Sequence, residues 1–308
     1  MYVTKPRLFF SYALQNRFAV PSFNVCNLET ARSVIEAAEA ENAPVMLQSY
    51  FGDLYYGGFE VLPQLLRNLA EQAGVPVLVH QDHPDSNQMI FRTLRRGYYS
   101  VMYDGAHLPI EENIRGAAYV TEIAHAMGAA VEAELGLFGG GEGDHGRLQN
   151  ASPEESRRMV EESGIDTLAA AVGSIHGQSS RLDLILLEEI ASVTPAPLVL
   201  HGGSGIHLDD LREAIPMNVV KVNIGADLVR AWMSGLKEGA LLESGHEPPH
   251  HLMMNHASKK VSEMARAKLS VMGASNHAEP LLEKLENERE DLPFISASSL
   301  PVKACSRR

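Results

Sequence analysis

VPVLVHQDHPDSNQMIFRTLRRGYYSVMYD, residues 75–104, holds one strand–helix–strand period and closes its first strand in an unusual way. Val75, Val77, Leu78 and Val79 form a short apolar, β-branched run of the kind found in buried strands. SNQMIFRTLRRG then switches to helical spacing before YSVMYD resumes the strand pattern. His80, Asp82 and His83 close the first run. Polar groups at the end of a buried strand must be paired, bound to metal or turned into a cleft, because burying them alone is costly.

The same period repeats along the chain. Strand-like runs at 19–25, 43–48, 75–81, 99–104, 129–136, 165–173, 196–205 and 218–226 alternate with helix-period segments such as LETARSVIEAAEAEN (28–42) and VLPQLLRNLAEQAG (61–74). Eight such units in sequence predict an α/β fold, a TIM-type (β/α)8 barrel of about 250 residues, with a doubly wound open sheet as the second choice. The segment 250–275 reads as one additional C-terminal helix. Prolines and glycines are spread rather than gathered in a linker, so residues 1–286 are expected to form a single domain. Residues 287–308, polar and serine-rich, are expected to be a disordered tail.

Composition narrows the function. With 26 basic and 39 acidic side chains the net charge is −13, which argues against a nucleic-acid backbone binder. No apolar run reaches the length of about 18 residues needed to span a membrane, and the N-terminus has no signal-peptide pattern. Cys26 and Cys305 stand far apart without metal-type spacing, which excludes a disulfide framework and fits a cytoplasmic protein.

In a β/α barrel the active site sits at the C-terminal ends of the strands. Those ends carry Asn24, then Asp82 and His83, Asp104, Glu132 and Glu134, His176 in the turn after strand six, His201, and Asn223. Any one histidine there is most simply a hydrogen-bonded rim residue. Together, His83, His176 and His201 from three strands can converge as the ligands of a catalytic zinc that keeps a fourth position open. An all-oxygen magnesium site would favour carboxylates instead. His80 shares the parity of Asp82 and is either an orienting neighbour or a satisfied core histidine. HGGSG (201–205) follows a strand and opens a helix, and NIGAD (223–227) does the same, so their amides can cradle a phosphate. GGGEGDHG (139–146) is a loop whose Glu142 either swings in as a proton carrier or belongs to a mobile surface.

FN (23–24), HQDH (80–83), VMYDGAHLP (101–109), VEAELG (131–136), GGGEG (139–143), VGSIHG (172–177), LVLHGGSG (198–205) and KVNIG (221–225) together resemble the class II, zinc-dependent ketose-bisphosphate aldolases, nearest the tagatose/fructose-bisphosphate branch. The resemblance covers roughly residues 1–280. It implies a lyase that cleaves a phosphorylated ketose to dihydroxyacetone phosphate and an aldehyde. It implies His83, His176 and His201 as zinc ligands, with Asp104 and Glu134 holding a second or displaced metal. It further implies Asp82 as the catalytic acid/base and Glu142 as the proton carrier at the enediolate carbon. Asn24, Gly177, Gly202, Ser204 and Asn223 fall around the substrate. A Na+ or K+ ion near the phosphate and a homodimer or homotetramer are also implied.

The chemistry agrees. Retro-aldol cleavage needs a Lewis acid on the ketone oxygen and a base for the hydroxyl beside the breaking bond. No strand end offers a lysine for Schiff-base chemistry except Lys221, read as structural or phosphate-side. The sequence departs from the family at Ala226, where a hydroxyl residue is usual, at Tyr50, and at EPP (247–249), which lacks the usual arginine. These changes leave open a substrate with one phosphate or none, a keto-acid among them. A non-catalytic barrel that partners an active subunit is the remaining alternative.

Overall fold

The computed structural model describes residues 1–139, 148–241 and 248–289. Eight parallel strands close a barrel: β1 Val20–Asn24, β2 Val45–Ser49, β3 Val77–Gln81, β4 Ser100–Tyr103, β5 Ala130–Leu135, β6 Thr167–Ala170, β7 Leu198–Leu200 and β8 Val219–Ile224. Neighbours in sequence pair in space, and β8 returns to β1 with Val20 opposite Lys221 and Ser22 opposite Asn223. β2 and β3 pair with Gln48 opposite His80, which fixes which side chains of the two strands share a face. A register shift in β8 between Val219 and Lys221 interrupts its pairing with β7.

The alternating helices form where capping and burial agree. Asn27 accepts a hydrogen bond from the Thr30 amide (3.0 Å), Ser86 from Met89 (3.3 Å), Ser152 from Glu155 (3.2 Å) and Asp183 from Leu186 (3.0 Å). Each such cap is worth about 1 kcal/mol. The helix Leu28–Ala40 buries Ala31, Val34, Ile35 and Ala38, spaced three and four apart, against the barrel.

Among the described residues four helices lie outside the strand–helix alternation. Pro6–Gln15 buries Phe9, Phe10 and Ala13 at the N-terminal end of the chain, and Phe51–Gly57 follows β2 directly. Beyond the barrel there are two helices, His250–Val271 and Ala278–Asn287, rather than one. The second buries Leu281 and Leu285, four residues apart, a pattern too short to stand out by periodicity alone. It carries order through Asn287, past the boundary expected at residue 286; residues 290–308 of the expected tail lie outside the described residues. Among the described residues no helix is long and apolar enough to cross a membrane.

The last helix docks through His277, whose ring stacks on Phe18 at 4.2 Å and lies beside Tyr12, with Nδ1 3.4 Å from the phenol oxygen. Burial lowers the His277 pKa from its ordinary value. A histidine held neutral in the folded state favours unfolding once the unfolded chain begins to protonate, so its contribution is present above about pH 6.5 and lost as pH falls below it. His277→Phe keeps the stack and removes the titration. Its unfolding midpoint is expected to fall less than the wild type's between pH 7.5 and 5.5 in thermal melts, and equal slopes would refute the assignment.

Candidate active site

At the C-terminal ends of the strands the chain makes one sharp departure from ordinary backbone. After β3 the residue His83 sits at φ +36°, a left-handed conformation that non-glycine residues seldom adopt and that clusters at functional sites. The turn swings the imidazole back over the barrel, where its Nδ1 lies 2.9 Å from Asp104 Oδ2. The His83 ring centroid is 4.9 Å from that of His201 and 5.6 Å from that of His176. One ligand atom from each of the three histidines falls within 4.8 Å of the others, and the same holds for His83, Asp104 and Glu134.

These groups suit a metal. His201 is fully buried, yet its Nδ1 makes no hydrogen bond among the described residues and points toward Glu134 Oε2 at 3.1 Å. A bare imidazole nitrogen beside a carboxylate is a ligand pair, and histidine nitrogens mixed with carboxylate oxygens suit zinc. The local field also favours a cation. Burial pulls the His83 pKa down, but Asp82, Asp104 and Glu134 outweigh it and raise the value to about 10. Burial together with the charge at His83 takes His176 down to about 4 and holds His201 well below its usual range. Phe138 closes one side, stacking on His201 at 5.0 Å and on His176 at 5.6 Å.

Asp82 stands beside this group in a cradle of amides. Its Oδ2 accepts from Asn24 Nδ2 (3.1 Å) and Gln48 Nε2 (3.0 Å), and its Oδ1 from Asn223 Nδ2 (2.9 Å). Gln48 is itself oriented, since its Nε2 also donates to Asn24 Oδ1 at 2.9 Å and its Oε1 accepts from Ser22. Burial raises the Asp82 pKa, but the positive charges at His83 and Lys221 and these donors win, and it falls to about 2.

The cavity above, of about 390 Å³, is lined by Asn24, Gly177, Gly202, Ser204 and Asn223, and by Asp82, His83 and His176. Tyr50, Gly225 and Ala226 complete the lining. The two glycine-rich stretches behave differently. NIGAD leads straight into the helix Ala226–Gly239, whereas the helix after HGGSG starts only at Leu208, so just the first presents a helix N-terminus directly. HGGSG packs against it instead: Ser204 Oγ accepts from the Asp227 amide at 3.0 Å, and the Gly203 amide donates to Asn223 O at 3.0 Å.

All the expected site residues except Glu142 therefore gather at one end of the barrel; Glu142 lies outside the described residues. Three participants escape a sequence reading. Gln48 closes the second strand, but an amide without acid–base chemistry attracts no notice. Phe138 reaches the histidines only through the antiparallel pairing of 137–138 with 148–149. The third is the partner of Lys221: of its two expected places the lysine takes the structural one, fully buried inside the barrel and paired with Glu132 at 2.8 Å. His80 is buried in the same interior, with Nδ1 2.7 Å from Ser100 Oγ.

Fold and site together define a barrel enzyme with a histidine–carboxylate group that could hold a metal. Comparison with known proteins gives the family. A family model described as fructose-bisphosphate aldolase class-II matches residues 5–277. The fructose-bisphosphate aldolase of Streptococcus pyogenes serotype M1 is 38% identical over 295 residues, covering 90% of this chain and 100% of the relative. That of Streptococcus pneumoniae serotype 4 is 41% identical over 249 residues, covering 78% and 84%. Among solved structures, the YdjI aldolase of Escherichia coli K12 superposes with a TM-score of 0.79 at 30% identity, covering 91% and 100% of the two chains. A putative fructose-1,6-biphosphate aldolase from Coccidioides immitis gives 0.81 at 25%, covering 90% and 98%. The chain belongs to the class II fructose-bisphosphate aldolase family, a family of zinc-dependent lyases.

If the three histidines hold metal, zinc added to chelator-treated protein raises the unfolding midpoint with concentration, the added stability reaching about 2.7 kcal/mol at one hundred times the dissociation constant. His176→Ala is expected to remove most of that rise. An equal rise in variant and wild type would place the metal elsewhere.

Proposed function

We propose that this chain is a zinc-dependent aldolase that cleaves a phosphorylated ketose, such as tagatose- or fructose-1,6-bisphosphate, to dihydroxyacetone phosphate and an aldehyde. What carries the reading is one juxtaposition: Asp82, fixed by three amides, adjoins His83, and both open with His176 onto the same cavity. His83, His176 and His201 would hold the zinc, and the neighbouring group His83, Asp104 and Glu134 would receive a second or displaced metal. When bound, the metal supplies a Lewis acid for the ketone oxygen and stabilises the charge that develops there.

The residues of the chain do the rest. Asp82 accepts the proton of the hydroxyl on the scissile-bond carbon that becomes the aldehyde. The electrons of that O–H bond form the aldehyde carbonyl, and those of the carbon–carbon bond pass to the enediolate of dihydroxyacetone phosphate. Three amides fix the Asp82 carboxylate where it meets the substrate hydroxyl, so position is the main part of its contribution. Asn223 and Asn24 keep its carboxylate in place from either side. Glu142 is the acid that returns a proton to the enediolate carbon. Gly177, Gly202, Ser204 and the start of the helix at Ala226 would surround the phosphate. A Na+ or K+ ion near the phosphate, assembly as a homodimer or homotetramer, and a cytoplasmic setting belong to the same reading, supported by family membership.

A second reading has its own observation. Tyr50 and Ala226 line the cavity, and among the described residues none of those lining it is a lysine or arginine. That lining favours a ketose or keto-acid with one phosphate or none, processed by the same chemistry.

A coupled assay for dihydroxyacetone phosphate, run with and without chelator, tests the first reading. Asp82→Asn should lower kcat by about 10²–10⁴ while leaving zinc content intact. Turnover that survives both zinc removal and Asp82→Ala would overturn the mechanism. The ratio of kcat/KM for bisphosphorylated and monophosphorylated ketoses separates the two substrate readings.

A further inference from the structure

One buried group inside the barrel takes no part in the chemistry above: Lys221, Glu132 and His80. Lys221 Nζ lies 2.8 Å and 3.1 Å from the two oxygens of Glu132 and 3.4 Å from His80 Nε2. None of the three has more than 1% of its surface exposed. Removing an ammonium and a carboxylate from water together is expensive, and apolar residues of similar volume commonly serve stability as well. The pair therefore calls for an explanation beyond packing.

Its geometry supplies one. Glu132 Oε1 also lies 3.0 Å from Nε2 of His201, while the other nitrogen of that ring, Nδ1, lies 3.1 Å from Glu134 Oε2 of the candidate ligand groups. An ammonium only donates and a carboxylate only accepts, so the proton between Glu132 and His201 must come from the imidazole. A neutral imidazole has one proton. Placed on Nε2, it leaves Nδ1 with a free lone pair.

We propose that Glu132, clamped by Lys221, is a positioning residue that holds His201 in the tautomer presenting Nδ1 to the metal. Lys221 donates to both carboxylate oxygens and so fixes the plane in which Oε1 meets the imidazole. Replacing the carboxylate by an amide reverses the arrangement. Lys221 takes the amide oxygen, the NH₂ group faces His201 Nε2 and donates to it, and the imidazole proton moves to Nδ1, where it blocks the ligand. The inference rests on the proposed zinc site, and its test separates the two.

Zinc affinity is measured by chelator competition on stripped protein. Glu132→Gln should bind zinc about 10–100-fold more weakly than the wild type, the usual effect of losing the partner behind a metal-ligating histidine. Its metal-free unfolding midpoint should fall, because Lys221 loses its counter-charge, so zinc affinity is compared at a temperature where the stripped variant is still folded. Lys221→Met, which keeps length and loses charge, should weaken zinc binding in the same direction. Should either variant fail to fold, ¹⁵N spectra of histidine-labelled, zinc-loaded wild type decide the matter. His201, assigned by the signals lost in His201→Gln, should show a metal-bound Nδ1 and a protonated Nε2. Wild-type zinc affinity in a folded Glu132→Gln, or zinc on Nε2 of His201, overturns this inference and leaves the zinc site standing. A wild type that binds no zinc overturns the site itself.

Discussion

A closed eight-stranded barrel must fill its own interior with side chains, and in this protein much of that filling is polar. Ser22, Gln48, His80, Ser100, Glu132 and Lys221 are all buried at 1% exposure or less. Such a layer is tolerable only because its members satisfy one another. Ser22 bonds Gln48, Ser100 bonds His80, and Lys221 neutralises Glu132. The opposite side is apolar and small, with Ala169, Ala171 and Val199 packed against Phe138. The small residues leave room for Phe138 to reach inward and lie flat on two of the three histidines.

That division of the interior sets the chemistry of the rim. On the polar side, amides from β1, β2 and β8 converge on Asp82 and hold it as a carboxylate. On the other, imidazoles lie against an aromatic face. Asp82 and His83 are neighbours in sequence but face different partners, because the left-handed turn at His83 breaks the alternation that would otherwise send it outward. An imidazole of the candidate metal group and a carboxylate held by three amides are thereby brought side by side from a single strand end. The cavity wall beyond β8 is built separately, where Ser204 Oγ accepts from the Asp227 amide in the first turn of the helix that follows. Ala226 and Tyr50 change what the cavity wall offers without touching the histidine group.

Legibility followed sequence distance. The βα alternation is a local signal, repeated eight times, and every barrel strand lies within the run expected to form it except the second, which reaches Ser49, one residue past its run. The helices Pro6–Gln15 and Ala278–Asn287 escaped because each is short and its burial depends on the other end of the chain. Site residues with acid–base or ligand chemistry at strand ends were readable, since the barrel places all such ends on one face. Gln48, Phe138 and the role of Lys221 were not. An amide, a phenyl ring and a lysine acquire meaning only from what stands across the barrel.

By itself the sequence determined the class of fold, the strand ends that carry the chemistry and the residue types available there, because apolar periodicity and side-chain chemistry are properties of the chain. Tertiary structure decided which nitrogen of His201 faces the metal group, which three amides hold Asp82, and where the charge of Lys221 is spent. Those depend on strand register and on closure of β8 against β1, which bring together groups as far apart as His80 and Lys221.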